Sequence, residues 1–553
     1  MKPAVPLLAS LSLIAQSRDH GRAMTISKHG IVATSQTLAS QAGAEVRARG
    51  GSAVDAAIAA NAVLSVVEPM MDGIGGDLFA MVWTASDKKL AGLNASGWAA
   101  KAQSIGAMKK LDIQTMPQRG IHTATVPGAA AGWAAMHARY GKLPWKDLFG
   151  VAIYYAREGF PVTERIQQSW GASEVTLKSL RAPEAAPEIF LPGGKPPAVG
   201  QVFKNPMLAR AFALLAAQGP DVVYKGEIGK AILATSKRLG GMLDAKDLAE
   251  WTPEWVTPIS STYRGWRLYE LPPNGSGIGA IEMLNMIETR PLEKKDAAAY
   301  HWQIESMKLA YADLWQYSSD PRFVDVPLRS MLSKQYAAKR ASAIDMAKAK
   351  CDVAPGVDLI TSGNTTYLAV VDKEGNIASW IQSISAGWGS AVAVDGMGFH
   401  LQNRGSYFKL DAKHANALAP RKRPQHTIIP AFLEKGDLHV GFGIMGGPTQ
   451  PYSHAQFVSN IADFGMNIQA AMDAPRFAPT GSTCTIAIES RVPAAVRGAL
   501  TKMGHKLNDR GAFATSGVGV GQAVMRDQAA GVNYGASDAR SDGAAIPESP
   551  RYD

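Results

Sequence analysis

Apolar residues along the chain fall into two alternating rhythms, one helical and one strand-like, and glycine punctuates both. From Ser35 to Arg49, Leu38, Ala42 and Val46 recur every four residues, which predicts an amphipathic helix closed by Gly50-Gly51 at the position a C-cap favours. A second helix, VDAAIAANAVLSVV, follows at once. Ser52 and Asp55 have capping-box spacing ahead of it, and Pro69 ends it. Its small side chains predict close packing against neighbouring elements. The segment Asp72 to Trp83, DGIGGDLFAMVW, reads as a glycine turn entering a strand.

Residues Lys204 to Ile287 predict more helix and one strand, the latter within RGWRLYELPPNGSGIGAIEML. Ala337 to Pro355 is charged and breaks the apolar rhythm, so it reads as a surface connection. TTYLAVV and IASWIQSIS, joined by the turn DKEGN, are apolar on both faces and predict strands covered on both sides. LHVGFGIMGG predicts a strand that stops at Gly446-Gly447-Pro448, and TQPYSHAQFVSNIADF the helix after it.

Composition narrows the class. Nearly half of the 553 residues are apolar, enough for one large core or two of ordinary size. The net charge of +10 suits an anionic partner, but Lys and Arg are scattered among Asp and Glu. The densest cluster, Arg421-Lys422-Arg423, is short and has no interleaved aromatics, which argues against nucleic acid and leaves an acidic small substrate. Cys351 and Cys484 are too few for a disulfide framework or a zinc site, and neither fixes the redox compartment. The histidines include no HExxH, so no metal is expected. Met1 to Met24 has the layout of a short signal peptide, with Ala15-x-Ser17 as its cleavage site; Met24 is the alternative start of a cytoplasmic chain. The localisation is therefore periplasmic or secreted on the first reading and cytoplasmic on the second. No later run is long enough for a membrane span.

Familiar catalytic signatures are missing. Gly275, Gly277 and Ala280 match GxGxxA, but Pro272-Pro273 interrupt the approach and no second strand with an acid at its tip follows, so no nucleotide cofactor is expected. There is no GxSxG elbow, no P-loop and no cysteine placed for thiol chemistry. By themselves, Thr365 and Thr366 read most economically as strand formers.

A wider pattern changes that reading. From about residue 27 to the C-terminus the blocks GIVATSQTLASQAG, GGSAVDAAIAANAVL, DGIGGDLF, TVPGAAAGW, YRGWRLYELPPNGSG, DPRFVDVPL, GNTTYLAVVDKEGN, LQNRGSYF, KRPQHTIIP and MGGPTQP occur in order. In order and spacing the chain resembles the γ-glutamyltransferase family of N-terminal-nucleophile hydrolases. The resemblance implies an α/β four-layer αββα sandwich, two antiparallel sheets between helices. It also implies self-cleavage between Asn364 and Thr365, giving a large subunit (25–364) and a small one (365–553) that share one sandwich as a heterodimer, with higher oligomers left open.

The freed α-amine, with an ordinary pKa near ~8, would act as general base for the Thr365 hydroxyl, which attacks an amide to give an acyl-enzyme. Thr366 would orient that amine. The resemblance assigns Ser383 to contact the nucleophile and Gly446 and Gly447 to the oxyanion hole, where backbone N–H groups lie between a strand and a helix.

The pocket departs from the family pattern. The arginine that holds a γ-glutamyl α-carboxylate would fall near Ser96, and none is there. The positions that grip the α-amino group hold Ser385, Arg404 and Tyr407, and a serine pair is replaced by His426 and Thr427. An ammonium-binding acid is lost and a guanidinium gained, so a plain carboxylate could pair with Arg404. This resembles the cephalosporin (glutaryl) acylase and amidohydrolase branch. For Arg404 the competing role is a structural ion pair, and for His426 a satisfied core histidine. The expected activity is hydrolysis of γ-glutamyl compounds such as glutathione, with transpeptidation open. The alternative is an acylase for carboxylated amides lacking an α-amine. A non-catalytic binding protein on this fold would require loss of Thr365 or the glycine pair.

Overall fold

In the strand Asn364–Val371, Tyr367, Ala369 and Val371 enter one core while Leu368 and Val370 enter another. Both faces are buried, as its two-sided apolar sequence predicts. The structure is a computed structural model and describes residues 21–351, 353, 364–480, 484–514 and 517–550. Nearly all of the signal-peptide segment lies outside the described residues.

Two seven-stranded antiparallel sheets form the centre. One runs Ala544–Pro547, Ile31–Thr34, Asn364–Val371, Ile377–Ser385, Asp77–Thr84, Lys89–Ala95 and Glu254–Val256. The other runs Thr25–Ser27, Val532–Ser537, Val520–Asp527, Leu438–Met445, Ala431–Lys435, Trp266–Glu270 and Ile259–Tyr263. Between them lies a core that includes Phe79, Ile381, Phe432 and Val524. Helices Thr37–Ala48, Ala53–Val67 and Ala129–Tyr140 cover the first sheet; Gly277–Ile287, Ala297–Tyr317 and Gln450–Ala462 cover the second. The result is the expected four-layer sandwich.

Local rules place the helix nearest the site. Ser52 Oγ accepts the Asp55 N–H at 3.0 Å and the Asp55 carboxylate accepts the Ser52 N–H at 2.8 Å, a complete capping box worth ~1 kcal/mol. Every residue of Ala53–Val67 is buried. Its small side chains let it lie flat against the sheet, as the sequence implies.

Three features differ from expectation. Residues 204–287 hold three longer strands rather than one, because Glu254–Val256 and Ile259–Tyr263 are also paired. Both sit at sheet edges, where one side faces solvent and no continuous apolar run is needed. The charged stretch from Ala337 is not all surface, since it starts within the helix Lys334–Ala341 and buries Ala349 and Val353. Cys351 and Cys484, 133 residues apart, form a disulfide. Two cysteines cannot make a framework, but they suffice for one long-range bridge. The basic cluster is also committed: Arg421 pairs with Glu250 and Arg423 with Glu254. Among the described residues, no helix is long and apolar enough to cross a membrane.

Candidate active site

Thr365 follows the first residue of its strand and faces a bulge. Asn364 pairs with Ser385 and Thr366 with Gln382, so Ser383 and Ile384 both oppose the single Thr365. Bulges turn side chains out of the regular pleat. Here the bulge brings Ser383 Oγ to 3.1 Å from Thr365 Oγ1, which donates to it. Ser383 Oγ also accepts the Ser385 N–H at 2.7 Å, and Ser385 has a left-handed φ of 80°.

Thr366 is held by other partners than Thr365. Its hydroxyl lies 3.5 Å from the Gln382 carbonyl and hydrogen-bonds Asp72. Asp72 also takes bonds from Asn61 and from the Gly73 N–H. Burial pushes its carboxyl up to about 7, while the Gly73 N–H and the Gln382 and Thr366 side chains hold it down. The glycine turn read from DGIGGDLF thus anchors the residue next to the candidate nucleophile.

The first sheet supplies Thr365 and Ser383; the second supplies the glycine pair. Gly446 and Gly447 follow Leu438–Met445 and precede Gln450–Ala462, with φ of 153° and 59°. A Cβ at Gly446 would lie 2.6 Å from Thr449 Oγ1 and 3.0 Å from Gly519 Cα. Only glycine fits there. Neither glycine N–H donates to another group among the described residues, which leaves both available to a developing oxyanion.

Thr365 and Gly446 line one cavity of about 520 Å³, with Glu68, Arg119, Arg165, Arg540 and Asp542 among its other walls. Glu68 binds the Ser35 hydroxyl at 2.7 Å. Burial pushes its carboxyl up to about 8, opposed by that bond and reinforced by Asp72 and Asp542. Arg540 is answered by Glu489 and Asp538. A larger cleft beside Asp320, Arg322 and Arg423 does not include Thr365.

The positions expected to read the acyl group form a second cluster. Arg404 is fully buried; its Nη1 donates to Thr427 Oγ1 at 2.7 Å and its guanidinium lies 5.7 Å from the Tyr407 ring. Among the described residues, Nε and Nη2 have no hydrogen-bond partner. His426 Nδ1 accepts the Ile428 N–H, so neutral His426 carries its proton on Nε2 and donates to Asp77 Oδ2 at 3.0 Å. Burial and Arg404 keep His426 well below the usual histidine range. Burial pushes Asp77 up to about 7 and Arg404 pulls it down. Gly97, His426 and Gln402 all donate to Asp77, which favours its ionised form against the burial that raises it.

Arg404, Tyr407, His426 and Thr427 therefore come together, and His426 and Thr427 line a small cavity of about 10 Å³ that reaches Pro448, beside the glycine pair. None of the four lines the open cavity of Thr365, and neither does Ser385, which is held at the bulge. Ser96, where an arginine was expected, is locked to Asn94 and Asn274.

Sequence reasoning missed Glu68 and Arg119. Glu68 sits in the turn after a helix and Arg119 in a loop ahead of TVPGAAAGW, with no local pattern to mark either. It also missed a buried group formed by His301, Glu305 and His505, of which only the His301/Glu305 i,i+4 spacing is local. Lys308 Nζ lies 2.6 Å from Glu305, and His301 bonds His505 at 2.8 Å, so these polar atoms already serve one another.

A sequence model of the family described as Gamma-glutamyltranspeptidase matches residues 39–548. The chain is 34% identical over 526 residues to the glutathione hydrolase-like YwrD proenzyme of Bacillus subtilis, covering 93% of this chain and 98% of that protein. It is 33% identical over 493 residues to the acylase ACY 1 proenzyme of Pseudomonas sp. (strain SE83), covering 86% and 87%. The solved cephalosporin acylase from Bacillus halodurans matches with a TM-score of 0.90 at 40% identity, over 99% of this chain and 100% of that one.

Proposed function

The chain belongs to the gamma-glutamyltranspeptidase family, an enzyme family of the N-terminal-nucleophile type, and from that premise we propose that it cleaves itself before Thr365 and then hydrolyses carboxylated amides through that threonine. In self-cleavage the Thr365 hydroxyl attacks the Asn364 carbonyl carbon and the peptide C–N bond breaks, leaving an ester. Water then hydrolyses the ester, which frees the Asn364 carboxyl and the Thr365 α-amine.

In turnover that amine takes the hydroxyl proton as oxygen attacks the substrate carbonyl, and passes it to the departing amine. Gly446 and Gly447 N–H groups stabilise the oxyanion in both steps. Water removes the acyl group. Ser383 holds Thr365 Oγ1 in line, and Thr366, fixed by Asp72, orients the new amine. Residues 25–364 and 365–553 become two chains of one sandwich.

The observation that carries this reading is Thr365 at the bulge, 3.1 Å from Ser383 Oγ, sharing a cavity with Gly446. For the acyl group, the buried Arg404, with two donor nitrogens unbonded among the described residues and Thr427 beside it, favours a terminal carboxylate and leaves an α-amine unread. That supports a glutaryl-type acylase over a γ-glutamyl hydrolase. The γ-glutamyl reading keeps support from the glutathione hydrolase-like relative. The test compares wild type with Thr365→Ala on a reducing denaturing gel and with glutaryl and γ-glutamyl anilides. Two bands and activity are expected for wild type alone, with the glutaryl substrate faster. An uncut, inert wild type refutes the mechanism; a faster γ-glutamyl substrate refutes the acyl assignment.

A further inference from the structure

Arg119 is a desolvated cation without an acid. Burial pushes its guanidinium below the usual arginine range, and among the described residues no carboxylate forms an ion pair with it. Its Nη1 donates to the Gly387 and Gly389 carbonyls, the second at 2.8 Å. Nε and Nη2 donate to no described residue, and the side chain lines the Thr365 cavity. A partly buried guanidinium held by one nitrogen, with its remaining edge toward a cavity, is shaped to take a carboxylate in a fork.

The other charges in the cavity do not satisfy it. Arg540 is matched by Glu489 and Asp538, and Arg165 adds a further cation that among the described residues bonds Gln168 alone. Asp542 takes the Thr163 hydroxyl. Arg404 does not line this cavity, so with the acyl group assigned to Arg404 the open cavity is left for the amine half of the amide.

We infer that Arg119 is a specificity-determining residue that binds a carboxylate on the amine half of the substrate. The enzyme would then favour amides anionic on both sides of the scissile bond. This deepens the threonine-hydrolase reading and rests on it for turnover. The loop that Arg119 grips, Gly387 to Gly389, follows the strand carrying Ser383, so a purely structural role must be separated from a binding one.

Four amides do so: glutaryl and pentanoyl groups, each on aniline and on 4-aminobenzoate. The readout is the ratio of kcat/KM between paired substrates, in which loop damage cancels. Arg119→Leu should lower the preference for aminobenzoate over aniline about 10- to 100-fold, the range for a charged hydrogen-bonded contact. Arg119→Lys should restore part of it. Loss of the glutaryl-over-pentanoyl preference instead would move Arg119 to the acyl half and overturn the assignment; unchanged ratios would make it structural. Calorimetry with 4-aminobenzoate alone tests the site without turnover. Wild type should bind at least tenfold more tightly than Arg119→Leu, and equal binding overturns the inference. If wild type binds aminobenzoate but cleaves none of the amides, the hydrolase reading fails and the carboxylate site stands.

Discussion

The Cys351–Cys484 bridge brackets the proposed scissile bond. Asn364-Thr365 lies inside the 133-residue loop that the bridge closes, so cutting it turns one looped chain into two chains joined by a disulfide. On a denaturing gel, processed protein should run as one species without reductant and as two with it, one of them Thr365–Asp553. In the uncut Thr365→Ala protein, the chain-entropy relation for a loop of 133 residues gives about 5 kcal/mol at 25 °C. Adding Cys484→Ser there should lower the unfolding free energy by that amount at most, read as the urea midpoint against the Thr365→Ala parent.

Native association should not depend on the bridge. In the first sheet, Ile31–Thr34 of the large segment lies between Ala544–Pro547 and Asn364–Val371 of the small one; in the second, four small-segment strands lie between large-segment strands. Reductant should therefore leave the native size unchanged. Refolding is where the bridge counts: joined chains meet at a fixed effective concentration, whereas reduced chains must find each other. Refolding yield should be independent of dilution when oxidised and fall with dilution when reduced. Two bands without reductant would refute the bridge, and one band in both lanes would refute the cleavage.

Ser383→Ala removes the bond that aims Thr365 and should slow both self-cleavage and kcat about tenfold, with Ser383→Thr restoring both; a normal processing time course would remove Ser383 from the mechanism. Gly446→Ala places a Cβ 2.6 Å from Thr449 Oγ1 and tilts the oxyanion donor, so kcat should fall about 10²- to 10³-fold, and steady-state kinetics showing only a KM change would refute the assignment. Arg404→Leu should reduce the glutaryl-over-pentanoyl preference while self-cleavage continues, whereas equal loss of both would make Arg404 the structural partner of Asp77. Glu68, held neutral up to about 8, gains charge above that pH beside Asp72 and Asp542 in the cavity that Arg119 and Arg165 also line, so KM for carboxylated substrates should rise there and Glu68→Gln should flatten the rise. Its raised pKa means the folded chain binds more protons than the unfolded one between 4.5 and about 8, so this group's contribution to stability falls as pH climbs through that window, and Glu68→Gln should reduce the slope of Tm against pH.

Much of the fold was legible because local physics decides it. The Ser52/Asp55 box, the turn at DKEGN and the two-sided apolar strands each encode their element within a few residues. The edge strands Glu254–Val256 and Ile259–Tyr263 were not legible, since exposure on one side removes the apolar signature. Thr365 was visible only through the order of many blocks. What singles it out physically, a bulge that sets Ser383 opposite it, is a register between two strands and has no local sequence mark. Arg119, Glu68 and the Cys351–Cys484 bridge share that character, each defined by partners far along the chain.

On the roles proposed for them, the two arginines would divide a substrate by charge placement. Arg404 is buried near Asp77 and His426, where burial dominates both titrations: it raises Asp77, opposed by Arg404, and lowers His426, reinforced by Arg404. A ligand carboxylate arriving there would share Arg404 with Asp77, whose own titration lies near 7, so its binding depends on the Nε and Nη2 geometry more than on net charge. Arg119 meets no such compensation. A carboxylate in the open cavity would gain the full field of a desolvated cation, weakened only by Asp542 and, at high pH, by Glu68. The acyl end is then selected by shape and hydrogen bonding and the amine end by charge, so rising ionic strength should erode discrimination on the amine half before it touches the acyl half.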